Sequence, residues 1–157
     1  MKNTPDSLKL RNRLQSSKFS GSGFMGDDGR SVEEIISEDL HIMQKHGVSK
    51  EKLVHNLKMY YQIIQEALGT KFIFNDNIYG EFYEAMGRIP SPFIGDGTFA
   101  KGEAVIVNEK SSEKFVITAL AINLIENHDF FQGKHSRYRL DPLELKQLFD
   151  KLEDTKG

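Results

Sequence analysis

The chain has 157 residues, a formal net charge of −2 at pH 7 and 28% charged residues, a length that fits one domain burying about 68–70% of the surface its unfolded chain exposes. It contains no cysteine, which excludes disulfides, thiolate metal ligands and a cysteine nucleophile and fits a reducing, cytoplasmic location. The slight acidity excludes a global basic field for nucleic acid. The longest apolar run, Phe115 to Ile125 broken by Thr118 and Asn123, falls far short of the roughly 20 residues that span a bilayer, so no membrane partner is expected.

Residues 1–30 show no sustained period and are rich in Ser and Gly, which predicts a flexible arm anchored only by Leu8, Leu10, Leu14, Phe19 and Phe24. Lys2, Lys9, Arg11, Arg13 and Lys18 lie here without an apolar core, so the segment does not read as a secretory signal. Within it, Gly21-Ser22-Gly23-Phe24-Met25-Gly26 matches the glycine pattern of a dinucleotide fingerprint. That motif needs a buried strand before its first glycine and a helix opening at its last. The preceding residues are polar, Asp27 and Asp28 follow, and the first helical signal comes at Ser31; no cofactor is expected.

Regular structure is predicted from Ser31-Val32-Glu33-Glu34, a capping box followed by Val32, Ile35, Ile36, Leu40 and Met43 at helical spacing. Gly47 ends this helix, Ser49 caps the next, and Leu53, Leu57, Tyr60, Ile64 and Leu68 line its face up to Gly69. Short β-prone runs follow over Lys71–Asn75, Phe82–Met86, Ala104–Asn108 and Lys114–Ile117. The last two make the clearest hairpin. A helix over about Ala119–Asn127 comes next, and Asp141-Pro142-Leu143-Glu144 opens a final one with Leu145, Leu148, Phe149 and Leu152 on its face. The expected fold class is therefore α+β: an N-terminal helical hairpin, a small antiparallel sheet and two C-terminal helices, with 31–157 as a single α+β domain.

Two segments carry the functional signal. Gly87 to Gly97 holds two prolines and three glycines, which prescribes its backbone and fits a rigid connector or an ordered loop presenting Arg88 and Asp96. His128 to Arg139 gathers two histidines, Lys134, Arg137, Arg139, Phe130, Phe131 and Tyr138 ahead of the Asp141 cap. Cationic side chains bind phosphate or carboxylate, and exposed rings stack on bases, so this composition suits an anionic small molecule or single-stranded nucleic acid. The competing reading has the rings pinned in the core and the cations solvated. The histidine spacing matches no zinc pattern, and no metal is expected.

The segments Gly26 to Arg30, Gly87 to Phe93 and His128 to Arg139 together resemble a family of uncharacterised bacterial cytosolic proteins of similar length with no known activity. The resemblance covers roughly residues 20–150 and implies cytosolic placement. It also implies Cys in relatives at the position of Ser91 and His at that of Asn123, a metal-site hint from which this chain departs at both.

The leading expectation is a binding or interaction module whose anion site joins Arg88 to Lys134, Arg137, Tyr138 and Arg139. The first alternative is an enzyme using His128 or His135 as acid/base, oriented by Asp129 or Asp96; the second is a protein-interaction adaptor using the arm and helical hairpin. A histidine with a carboxylate in reach marks the enzyme, and an uncovered apolar hairpin face marks the adaptor.

Overall fold

The computed structural model describes residues 23–154. The anchors Leu8, Leu10, Leu14 and Phe19, with Gly21 and Ser22, lie outside the described residues.

Two helices open the body, α1 (Val32–Lys45) and α2 (Lys50–Glu66). The Ser31 hydroxyl oxygen accepts the Glu34 N–H at 3.1 Å, and the Ser49 oxygen accepts the Lys52 N–H at 3.3 Å. Each satisfies a first-turn donor that the helix leaves unpaired. Glu34 completes its box differently from the sequence pattern, because its carboxylate accepts from the Ser31 hydroxyl. Gly47 turns the chain at φ +63°, a left-handed conformation suited to glycine. Leu40 and Leu68, expected on the apolar faces, are exposed, whereas Asp39 is buried on α1.

Strands β1 (Phe72–Ile73), β2 (Ile78–Tyr83), β5 (Glu103–Asn108) and β6 (Glu113–Thr118) form one antiparallel sheet in the order β1-β2-β5-β6. Between β2 and β5 the chain forms a separate ribbon of β3 (Arg88–Pro90) and β4 (Thr98–Ala100). Register aligns Phe82 with Ala104 and Ala104 with Ile117, and Gly80 with Ile106 and Ile106 with Phe115. Both rows enter the main core, as the period-2 alternation of strands requires. A Cβ at Gly80 would collide with the end of Ile64, so the glycine lets α2 close on the sheet. The strand expected over Phe82–Met86 instead begins at Ile78, because pairing with β5 sets its limits.

Helix α3 (Ala119–His128) follows β6 directly, its Ala121 N–H donating to the Thr118 hydroxyl at 3.0 Å, and stops at Asp129 in the left-handed region, φ 54°. Helix α4 (Pro142–Asp154) is capped by Asp141, whose Oδ1 accepts the N–H groups of Leu143 and Glu144 at 2.9 and 3.1 Å. Leu145, Leu148, Phe149 and Leu152 join the main core, where Phe149 stacks on Tyr60 with centroids 5.4 Å apart. The architecture is α+β, with helices before and after the strands. No described helix is long and apolar enough to cross a membrane.

A second core joins Phe24, Met25, Val32, Ile35, Leu120, Leu124 and Phe130, with Ile89, Phe93 and Phe99 of the ribbon region packed against it. Residues 23–30 therefore belong to the body and are not a loose extension. Gly133 N–H donates to Phe24 O at 2.7 Å, Asp27 N–H to Lys134 O at 3.2 Å, and the Ser136 hydroxyl to Gly23 O at 2.9 Å. A Cβ at Gly26 would overlap the backbone of Lys134 and Ser136, and one at Gly133 would overlap that of Met25. Gly26 of the fingerprint-like motif and Gly133 opposite it thus permit two backbone segments to interlock.

Candidate functional site

The segment from Asp129 to Leu140 follows α3 without regular structure, and Asp129, Gln132 and His135 all take positive φ. Such conformations cost free energy for non-glycine residues and persist where surroundings impose them. At Gln132 and His135 the clasp with residues 23–28 supplies that constraint, reinforced by the Lys134 N–H donating to Asp28 Oδ2 at 3.0 Å, whereas Asp129 caps α3. Asp28 also accepts from Arg30. The Arg30 contact, followed by the Lys134 backbone bond, outweighs burial and holds its carboxyl well below the usual range.

The clustered cations have different fates. Arg139 turns inward, its Nη1 and Nη2 donating to Asp39 Oδ2 and Oδ1 at 3.0 and 2.9 Å, and Nη1 also donating to Gln132 O at 2.8 Å. This bidentate pair neutralises a buried carboxylate and ties the segment to α1. Lys134 is exposed. Arg88 lies along the ribbon and donates to the Thr98 hydroxyl and carbonyl at 2.9 and 2.7 Å. Arg137 faces Glu103 at 3.0 Å and lies over the Tyr138 ring, 5.1 Å from its centroid. Phe130 and Phe131 are fully buried, so neither ring presents a face for stacking.

Arg137 and Tyr138 border a pocket of about 250 Å³ between the clasp, the ribbon and the sheet edge. Phe24, Ile89 and Leu120 provide its apolar surface, while Lys101, Glu103 and Arg137 place charge on its lining. The Tyr138 hydroxyl donates to Glu103 Oε2 at 2.7 Å. Burial first, and then this contact, pushes its pKa up to about 12. Arg88, Lys134 and Arg139 are not on this lining, so the five expected residues divide. Lys101 and Glu103 were missed; their one local signal is the Lys101-Gly102-Glu103 step into β5, where Gly102 makes room for the Phe82 ring.

Two wider grooves, about 540 and 530 Å³, open elsewhere. The first carries Lys52 and Lys146 beside Glu51, Asp150 and Glu153; the second has Lys58 beside Glu66 and Glu126. With two cations against three carboxylates in the first and one against two in the second, both linings sum to one negative unit and disfavour an anionic ligand. The smaller pocket combines an apolar floor with convergent polar groups, the usual anatomy of a ligand site.

A separate polar cluster forms where the ribbon loop meets α3. Asp96 Oδ2 accepts from the Ser91 hydroxyl and Asn123 Nδ2, both at 2.7 Å, and lies 2.8 Å from His128 Nε2. Phe93 stacks on the His128 ring at 3.8 Å. Burial works against the Asp96 carboxylate, but these three contacts outweigh it and hold its pKa below the ordinary value. Asp96 is therefore the acid that orients His128, while Asp129 pairs with Lys50 at 2.9 Å. The Ser91 hydroxyl and the His128 ring both engage the same Asp96 oxygen, which differs from the nucleophile–base–acid relay of a hydrolase. His135 lies 2.8 Å from Asp27 Oδ2 in a pair about two-thirds exposed on both sides.

Ser91 and Asn123 meet at this cluster through Asp96. A hydroxyl, an amide, one carboxylate and one imidazole do not fit a thiolate–imidazole metal set. No group of three or more His, Cys, Asp or Glu side chains that could hold a metal ion occurs among the described residues.

Comparison with protein-family models, curated proteins and solved structures returns no match.

Proposed function

We propose that the protein is a cytosolic binding module for a small anion with an apolar body, of the bacterial kind that the sequence resemblance implies. The carrying observation is Arg137, 60% exposed, beside Tyr138 at the edge of an apolar-floored pocket. Guanidinium and phenol groups supply directional donors, while Phe24, Ile89 and Leu120 favour an apolar portion of the ligand. A volume of about 250 Å³ lies just below the usual range for drug-sized ligands and fits a smaller one. Single-stranded nucleic acid has less support, because Phe130 and Phe131 are buried and base stacking needs exposed rings. Calorimetry with benzoate and phenyl phosphate tests the reading. Saturable binding by the parent and its loss in Arg137→Gln support it; no binding to either probe opposes it.

A second reading makes His128 an acid/base group of an enzyme, favoured by Asp96 at 2.8 Å. If a turnover assay succeeds, His128→Gln should abolish activity while leaving the urea midpoint close to that of Asp96→Asn. The adaptor reading has less support because Ile35, Leu57, Tyr60 and Ile64 of the hairpin are packed inside, and Leu40 and Leu68 are the large apolar side chains it exposes among the described residues.

A further inference from the structure

We propose that Glu103 is a resident carboxylate competitor, occupying the donors that the ligand's anionic group uses and thereby setting the pocket's affinity and selectivity. This rests on the small-anion reading above. Glu103 is the first residue of β5, held by strand pairing opposite Tyr83 and Thr118. Its carboxylate receives Arg137 Nη2 at 3.0 Å through Oε1 and the Tyr138 hydroxyl at 2.7 Å through Oε2. Its side chain is 15% exposed, whereas that of Arg137 is 60% exposed. One partner is therefore fixed in the wall and the other stands at the solvent edge.

The consequence follows from charge and geometry. With Lys101 and Arg137 on the same lining, the fixed charges near the pocket sum to one positive unit while Glu103 is ionised. An entering carboxylate or phosphate must displace Glu103 from Arg137 or share its donors, and it meets like-charge repulsion in either case. A neutral ligand of the same shape meets no such penalty. Glu103 thus lowers the affinity of every anionic ligand relative to a neutral one of the same shape, so an anion is retained only when its apolar group also engages the pocket floor. This assigns a selectivity role to a side chain whose structural contacts alone account for a simple ion pair.

The substitution Glu103→Gln removes the competing charge yet leaves an amide oxygen to accept from Tyr138. Titrations of the full chain with benzoate, phenyl phosphate and neutral benzamide, at low and high salt, read the effect. The inference expects Glu103→Gln to bind the two anions about fivefold more tightly than the parent at low salt, the scale of one screened surface charge. That gain should shrink at high salt, disappear in the Glu103→Gln, Arg137→Gln double variant, and be absent for benzamide. Parent binding with an equal or weaker response in Glu103→Gln overturns the competitor role and leaves the binding reading standing. Failure of both proteins to bind either anion, with urea midpoints alike, overturns both.

Discussion

The backbone N–H of Gly133 donates to the carbonyl of Phe24 at 2.7 Å, joining positions 109 residues apart in the sequence. A side chain at Gly133 would run into the Met25 backbone, whereas a Cβ at Gly29 meets nothing within 4 Å. Gly133→Ala should therefore cost about 1–3 kcal/mol through overpacking, and Gly29→Ala should stay within about 0.5 kcal/mol. Urea melts of the two variants check this; equal effects would show that the interlock contributes little.

The same clasp changes what a truncation does. Phe24 is 7% exposed within the second core, so Phe24→Ala should cost about 3–5 kcal/mol. Removal of everything before Asp28 should destabilise the chain by at least as much, where the sequence pattern alone predicts the loss of a weak anchor. Midpoints indistinguishable from the parent would place this segment outside the cooperative unit.

How much of this was legible depends on the distance over which the signal acts. Caps at Ser31, Ser49 and Asp141 are local chemistry, and the β5–β6 hairpin is two branched runs around a short polar loop; both can be read from neighbouring residues. The ribbon was not legible, because Arg88-Ile89-Pro90 and Thr98-Phe99-Ala100 are too short to display alternation and depend on pairing with each other. Nor does composition reveal that Arg139 points inward, since its partner Asp39 lies 100 positions away. The candidate site was partly legible for the same reason: Arg137 and Tyr138 stand out locally, whereas Lys101 and Glu103 join them only through the fold.

Arg139 and Arg137 should separate cleanly in stability. Arg139→Gln leaves the buried Asp39 without its bidentate partner, and breaking a buried pair in this way costs about 3–5 kcal/mol. Arg137→Gln loses a solvent-edge contact and should fall within about 0.5–1 kcal/mol. Urea denaturation gives both values, and a stable Arg139→Gln variant would contradict the inward assignment.

Acid should weaken the fold through Asp28 and Asp96, whose folded pKa values are both lowered. A carboxyl with a depressed folded pKa contributes stability that is complete above its unfolded value of about 3.9 and is lost as pH falls through the folded value. Stability should thus decline below about pH 4. The decline should be shallower in Asp28→Asn and in Asp96→Asn. Parallel acid profiles for parent and variants would remove these groups from the linkage.

Helix α4 offers an internal calibration. Phe149 is 2% exposed, and Phe149→Ala should cost about 3–5 kcal/mol. Asp141→Ala removes the N-cap and should cost about 0.5–2 kcal/mol. Negligible effects of both in urea would mean that the helix does not share the main core.

The central claim is that a small anion enters the pocket bordered by Arg137 and Tyr138. An amide and methyl NMR titration of the full chain with phenyl phosphate tests it most directly. The account predicts saturable shifts concentrated on Phe24, Ile89, Leu120 and Tyr138, with the set abolished by Arg137→Gln. Shifts confined to the groove between α2 and α4, or none at saturating probe, would contradict it.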